Sequence, residues 1–335
     1  MKKRIDYLDT FKGILIIVII FHHISFVVGI NESVRSFNLY LLPTYCSWFI
    51  PAFFLITGYC SNFNKPLQAF LSSQIRTLIW PAFTFFILVF LLRAIVQNDF
   101  TVFIHSFNEI PIWGFNWFLT ALFLSKILYY CMVRMCKNQS SRFISFLFLA
   151  FLAISMNDIN LFGANYLHHR HALYLSIFLC MGNLIKELGG IDKYKKHISF
   201  FAFFFLPILL FAMKFYGVLP GIAGIWINFC MIQVPFHLFT AITGSCFVLI
   251  IAQQIHKLRL MQFIGINSLL FYLVHIDVLR GTVYIVSNFL NPSNLIQVIF
   301  FDILIILLSI LVCSMLVYLF NLKYLRYLVK IPEKR

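Results

Sequence analysis

Long apolar runs separated by short polar segments dominate the chain. Most of these runs have about the 20 residues that a helix needs to cross about 30 Å of hydrocarbon. The pattern predicts about ten membrane spans, near 13–30, 39–60, 77–97, 116–136, 142–157, 171–187, 197–216, 235–255, 262–284 and 295–322. We therefore predict an all-α polytopic membrane helix bundle whose two termini lie on the same side, because the number of spans is even.

The composition supports this class and excludes a water-soluble domain. Hydrophobic residues make up 61% of the chain and charged residues only 11%, against roughly 25% charged residues in soluble domains. The first apolar run continues to about residue 30 without a small-residue cleavage site, so we expect a retained span and not a removed signal peptide. We find no internal repeat and no Gly-rich phosphate loop. We expect one membrane domain over 1–335, without an additional soluble domain.

The positive charge is unevenly distributed between the two sets of loops. Most of the 26 Lys and Arg residues fall on one side of the predicted spans, whereas the opposite loops hold Arg35 and Arg170. The residues on the basic side are Lys2, Lys3, Arg4, Lys12, Lys65, Arg76, Arg134, Lys137, Arg142, Lys186, Lys193, Lys195, Lys196, Lys257, Arg259, Lys323, Arg326, Lys330, Lys334 and Arg335. The positive-inside rule makes this side cytoplasmic. The net charge of +15 therefore needs no nucleic-acid partner, and both termini are predicted to be cytoplasmic.

Two basic residues stand out from this pattern. Lys126 lies about ten residues into the fourth predicted span, where a charge facing lipid would cost at least about 2.5 kcal/mol. We expect it to face the interior of the bundle, a cavity or a partner. Arg76, in a cytoplasmic loop before Pro81, either holds an anionic phosphate at the membrane surface or only follows the charge rule.

Three histidines are predicted to lie inside the membrane. His22 and His23 follow Lys12 by ten and eleven residues, or about 16 Å along a helix, and His275 lies about 20 Å into the ninth span. Spans one and nine both start from the cytoplasm, so His23 and His275 should reach a similar depth. Imidazoles there are suited to proton transfer, but they could also only link two helices by hydrogen bonds.

Two groups of residues at the predicted outer edge each have a functional interpretation and a simpler structural one. His168, His169 and His171 suggest a metal site, but adjacent helical residues point in different directions, and we predict no metal. Trp113 and Trp117 could support a sugar ring, or they belong to the aromatic belt of the membrane interface. The eight cysteines lie mostly in apolar segments and are interpreted as small buried residues.

Several segments resemble the membrane acyltransferase-3 family. In this family, the first helix has an Arg or Lys that is followed by ten residues and then by a His. The segment 4–13 and His23 are similar to this motif, with Lys12 as the basic residue. Further similar segments follow in the family's order at 53–59, 117–119, 263–268 and 272–275. Thr57 stands where the family has Ser. The Lys-Gly form of the first motif resembles the branch that contains fucose 4-O-acetylases.

This resemblance implies an activity, a location and partners. It implies transfer of an acyl group, usually acetyl from cytoplasmic acetyl-CoA, to a hydroxyl of a cell-surface or lipid-linked glycan. The enzyme would be a multi-pass protein of the bacterial plasma membrane, and its partners would be the lipid bilayer, acyl-CoA and the glycan acceptor. No oligomeric state follows from the sequence.

The resemblance also implies roles for single residues. His23 corresponds to the essential histidine, Lys12 to its basic partner, and Arg76 to the cytoplasmic arginine before the third helix. We expect Lys12 and Arg76 to bind the phosphates of acetyl-CoA. His23 would act as general base or as transient acyl carrier, while His275 or Lys126 orients the site or stabilises the oxyanion. The family often has a second arginine beside Arg76, and the segment 72–79 lacks it.

A transporter or flippase for a lipid-linked sugar is the competing interpretation. In that case Lys126 and the histidines would line a path or relay protons. The lack of an inverted repeat argues against this class.

Overall fold

The computed structural model describes residues 5–99, 117–155, 169–216, 233–322 and 325–329, and these residues form helices without a strand. The helices are α1 Asp6–Ile24, α2 Glu32–Cys46, α3 Phe49–Cys60, α4 Leu67–Gln74, α5 Trp80–Gln97, α6 Trp117–Met135, α7 Gln139–Ser155, α8 His169–Glu187, α9 Lys195–Phe203, α10 Phe205–Tyr216, α11 Gln233–Gln254, α12 Arg259–Ile266, α13 Ser268–Ser287, α14 Leu295–Phe320 and α15 Arg326–Val329. A π-helix, Ile75–Ile79, joins α4 to α5, and a short 3-10 helix, Ile191–Tyr194, precedes α9.

Seven helical segments in the described residues are long and apolar enough to cross a membrane. The number rises to eight if Glu32–Leu42 and Thr44–Cys60, which meet at a bend of 49°, form one span. The prediction of an all-α polytopic helix bundle is therefore confirmed. The count of about ten spans and the cytoplasmic position of both termini stay predictions.

Several predicted spans are interrupted in the structure. The segment 262–284 is divided between α12 and α13, because Asn267 between them has a non-helical backbone, and 197–216 is divided at Phe204. Conversely, the helix that covers 77–97 starts earlier, since Leu67–Val96 is one continuous helical segment. Apolar composition predicts that a segment can be buried, but it does not show where the helix breaks.

The described helices fall into two compact units. The first unit comprises Met1–Phe53 and Ile191–Leu319, and the second comprises Phe54–Gly190 and Phe320–Arg335. The prediction of one membrane domain over the whole chain stays a prediction.

In the first unit, α1 is the central helix and packs against α11, α12 and α13. Two glycines allow α1 and α12 to touch through their backbones. A methyl group on Gly13 would lie 2.2 Å from the Met261 carbonyl oxygen, and one on Gly265 would lie 1.7 Å from the Asp9 carbonyl oxygen. No side chain larger than hydrogen fits at either position. Small residues of this kind are typical of helix contacts in membranes, where close packing replaces the hydrophobic effect.

In the second unit, α8 packs against α6 and α7, and another pair of glycines brings α3 against α8. A methyl group on Gly58 would lie 2.0 Å from the Leu179 carbonyl oxygen, and one on Gly182 would lie 1.8 Å from the Leu55 carbonyl oxygen. Gly58 belongs to the predicted motif segment 53–59. The structure therefore gives this motif glycine a packing role.

A buried polar network links α6, α7 and α8. Arg142 is 5% exposed, and it donates through Nη1 and Nη2 to the two carboxylate oxygens of Glu187, at 3.2 and 2.9 Å. Asn183 donates to the Tyr129 hydroxyl at 3.0 Å and to Glu187 at 2.7 Å. This network ties the three helices together, because each member contacts a residue on another of them.

Candidate active site

Helix α1 carries three of the candidate residues, Lys12, His22 and His23. Lys12 lies in its second turn and the two histidines in its last turn, about 16 Å further along the axis. The helix is buried among its neighbours along most of its length. Its two ends therefore present different chemistry, a cation near the beginning and imidazoles at the end.

The structure brings His23 and His275 together in the first unit. The centroids of their rings lie 4.9 Å apart, and the ring planes meet at 77°. His275 is 1% exposed. The histidines are 252 residues apart in the sequence, and they meet because α13 packs beside α1.

Backbone carbonyls determine which nitrogen of each ring carries hydrogen. Nδ1 of His23 lies 2.9 Å from the Ile19 carbonyl oxygen, and Nδ1 of His275 lies 2.6 Å from the Tyr272 carbonyl oxygen. A carbonyl only accepts, so both Nδ1 atoms are donors, and in the neutral imidazole Nε2 is left as the basic nitrogen. Within the described part of the chain, His275 Nε2 is buried without a hydrogen-bond partner.

His22 adds a third imidazole to the cluster. Its ring centroid lies 4.9 Å from that of His23, and its Nδ1 lies 3.6 Å from the Cys46 sulfur. The rings of Tyr45 and Phe49 lie 5.8 and 5.4 Å from it. The three histidines thus form a continuous row that ends at α2 and α3.

The backbone contact between α1 and α12 lies near the beginning of α1, about 15 Å along the helix axis from His23. Helix α12 is fixed against Asp9 and Gly13, and only Asn267 separates it from α13, whose eighth residue is His275. The position of His275 relative to His23 therefore depends on how closely α12 approaches α1.

Lys12 is paired with a carboxylate that the sequence analysis did not single out. Its Nζ lies 3.0 Å from Oδ1 of Asp9, one turn earlier on α1. The Asp9 side chain is 6% exposed and that of Lys12 is 25% exposed. The ammonium has three donors, so it can keep Asp9 and still present hydrogens to a phosphate. The spacing of three residues was the signal that could have predicted this pair.

Arg76 and Lys126 both belong to the second unit. Lys126 Nζ donates to the side-chain oxygen of Gln74 at 2.9 Å, and Gln74 immediately precedes the π-helix that carries Arg76. Arg76 donates through Nε to the Ser72 carbonyl at 3.2 Å, while its terminal nitrogens have no protein partner in the described ranges. π-Helical turns are often found at functional sites. As expected, Lys126 has a protein partner, and Gln74 is the residue that sequence reasoning missed.

The remaining candidates contribute less. Trp113 and His168 lie outside the described residues, while Trp117 packs against His171 with ring centroids 5.2 Å apart. Among the residues that the structure describes, no group of three or more His, Cys, Asp or Glu side chains could hold a metal ion.

Comparison with known proteins gives one match. A family model described as an acyltransferase domain, that of the acyltransferase-3 family, matches residues 5–319. No curated protein and no solved structure matches the chain. The matched range covers nearly the whole chain, including the histidine row, Lys12, Arg76 and Lys126.

Proposed function

The chain belongs to the acyltransferase-3 family and is a membrane acyltransferase, and from this premise we propose that it is an O-acetyltransferase. The proposed donor is cytoplasmic acetyl-CoA, and the proposed acceptor is a hydroxyl of a cell-surface or lipid-linked glycan outside the bacterial plasma membrane. The observation that carries the proposal is the pair of His23 and His275, whose Nδ1 atoms both donate to backbone carbonyls.

The geometry supports a base mechanism. With its hydrogen held at Nδ1, His23 can take the hydroxyl proton of the acceptor at Nε2 while the acceptor oxygen attacks the thioester carbonyl. The carbon–sulfur bond then breaks, and the CoA thiolate leaves with the proton that His23 returns. Alternatively, Nε2 attacks the thioester carbonyl, the carbon–sulfur bond breaks and the CoA thiolate leaves. The acceptor hydroxyl then attacks the acetyl group on Nε2, its proton passes to the thiolate, and the imidazole is restored.

His275 supports either step from its position beside His23. Its buried Nε2 can accept a hydrogen bond from the acceptor or, when protonated, donate one to the oxyanion of the tetrahedral intermediate. Lys126, which is held by Gln74, is the other proposed oxyanion donor.

Lys12 and Arg76 are the proposed donor-binding residues. The terminal nitrogens of Arg76, which have no protein partner among the described residues, suit the bidentate recognition of phosphate. Lys12 shares its charge with Asp9, so it should contribute less to binding than an unpaired cation would.

Replacing His23 tests the proposal. Purified protein with His23→Ala or His23→Gln should insert and fold but lose transfer of acetyl from acetyl-CoA to glycan by at least about 100-fold, the usual contribution of a general base. His256→Ala is the matched control, because His256 Nδ1 also bonds a backbone carbonyl, that of Gln253, and His256 lies outside the histidine row. Full activity in either His23 variant would refute the assignment.

Mass spectrometry of the surface glycan separates the enzyme from a transporter. The enzyme adds an acetyl mass to each modified sugar, and the His23 variants should lack it. A transporter would change the amount of exported glycan without changing its mass.

A further inference from the structure

An acidic side chain is buried in the most apolar helix of the first unit. Asp302 is the only charged residue in Leu295–Phe320, and it is 4% exposed. A carboxylate in such a helix is unfavourable unless it has partners, so buried membrane acids usually have a function. Neither the proposed proton transfer nor the proposed binding of the donor uses Asp302.

Asn38 satisfies only one of the two carboxylate oxygens of Asp302. It lies on the buried stripe of α2 and is fully buried, and its Nδ2 donates to Asp302 Oδ1 at 3.1 Å. The other carboxylate oxygen of Asp302 and the side-chain oxygen of Asn38 are buried without a hydrogen-bond partner among the described residues. Two strong acceptors thus lie side by side, and each still requires a donor.

Tyr45 adds a third unsatisfied group. Its hydroxyl is buried without a partner in the part of the chain described, and Tyr45 follows Asn38 by two turns on the buried stripe of α2. Its ring packs against Phe21, with centroids 5.4 Å apart, and against His22, with centroids 5.8 Å apart. Tyr45 therefore links the Asn38–Asp302 pair to the histidine row.

The ends of α2 and α14 indicate which side of the molecule leads to this group. Asn31 Nδ2 donates to Asn291 Oδ1 at 2.5 Å, which joins the two segments that precede these helices. Both segments fall in loops predicted to lie outside. Asn38 is seven residues further along, or about 10 Å. The group thus lies on the predicted outer side, opposite the end of α1 that carries Lys12.

The unsatisfied atoms define the class of ligand. Two acceptors and one hydroxyl pair best with several hydroxyl groups, which both donate and accept. The Asp302 carboxylate disfavours an anion such as phosphate. The neighbouring aromatic rings of Phe21 and Phe49 suit the apolar face of a sugar, in the usual mixture of apolar lining and few polar groups.

We propose that Asn38, Tyr45 and Asp302 form the acceptor site, which binds the hydroxyls of a neutral saccharide. The proposal rests on the proposed function, in which a hydroxyl must reach His23. The acceptor enters from the side of Asn31 and Asn291, while the donor enters from the end of α1 that carries Lys12.

The test uses the full chain in lipid nanodiscs and methyl α-D-glucopyranoside as the probe. Binding is measured as the rise in Tm with probe concentration, and transfer is measured with labelled acetyl-CoA. Asp302→Asn should weaken binding about 10-fold or more, because it removes hydrogen bonds to a charged group. Tyr45→Phe, which keeps the ring, should weaken binding about 3-fold to 10-fold. The KM for acetyl-CoA should not change in either variant.

Ser309→Ala is the matched control. Ser309 is fully buried on the same helix as Asp302, and its hydroxyl bonds that of Thr282 at 3.0 Å, so this polar pair is already satisfied. The Ser309→Ala variant should bind the probe as tightly as the wild type does. Methyl glucuronide, which is an anion, should bind neither protein.

Two results would overturn the acceptor site. One is equal probe affinity in the Asp302→Asn and Ser309→Ala variants, which would make Asn38 and Asp302 a structural pair only. The other is a wild-type protein whose Tm the probe does not raise. By contrast, a wild-type protein that binds the probe but transfers no acetyl would refute the proposed function and leave the site standing.

Discussion

Gly265→Ala tests the dependence of the histidine pair on the contact between α1 and α12. The added methyl group would lie 1.7 Å from the Asp9 carbonyl oxygen and 3.0 Å from the Gly13 nitrogen, whereas ordinary contact begins at 3.4 Å. The obstacle is backbone, which cannot rotate away. The two helices must therefore separate by about 1.7 Å, the difference between the contact distance and the shorter of these distances.

The separation of α12 from α1 should also displace His275 relative to His23. Only Asn267 connects α12 to α13, so a shift of α12 moves the beginning of the helix that carries His275. A misplacement of about 1 Å can cost about 100-fold in rate when reacting groups must be aligned. We expect acetyl transfer to fall at least about 100-fold, and the overpacking to destabilise the protein by about 1–3 kcal/mol.

The assay measures acetyl transfer by purified protein, together with Tm to show that the variant is folded. Gly281→Ala is the control on α13, because a methyl group there meets nothing within 4 Å. This control should be as active as the wild type, and slightly more stable because alanine favours a helix. A folded Gly265→Ala protein that is as active as Gly281→Ala would refute the argument.

Three further predictions concern two residues of the second unit and an exposed ion pair of the first. Glu187→Gln should lower the stability by about 3–5 kcal/mol, seen as a lower Tm, since it leaves buried Arg142 without its counter-charge. Asp277→Asn, which breaks an exposed pair with Arg280, should cost less than about 1 kcal/mol, and an equal loss in both variants would contradict this reasoning. Arg76→Gln should raise the KM for acetyl-CoA with little change in kcat, and an unchanged KM in steady-state kinetics would exclude Arg76 from donor binding.

The sequence predicted the class of the fold well because apolar content alone decides whether a segment can enter a membrane. The long apolar helix Leu295–Phe320 was predicted within a few residues, at 295–322. The break at Asn267 was missed, because the residues on both sides of it are as apolar as an intact span. Helix breaks of this kind depend on packing against other helices, and periodicity does not contain that information.

The candidate site residues also divide into those that the sequence predicted and those that it did not. His23 and His275 were predicted from position and resemblance, and the structure brings their rings together. Asp302 was not predicted, because the charge pattern that determines membrane orientation is that of the cations, and acids inside apolar segments do not enter it. Its signal was present in the sequence, as a single carboxylate within 26 residues of apolar helix.

The glycines of the motif segments act through packing, which explains why they accompany the histidines. Gly13 and Gly265 fall in two segments of the resemblance that are about 250 residues apart, and they meet at one backbone contact. In lipid, helices gain little from burying apolar surface, so a close and specific contact needs small residues. The histidines proposed to react lie further along the chain from each glycine, His23 on α1 and His275 on α13. A change of either glycine should therefore act on catalysis without touching a substrate, through the distance between two imidazoles.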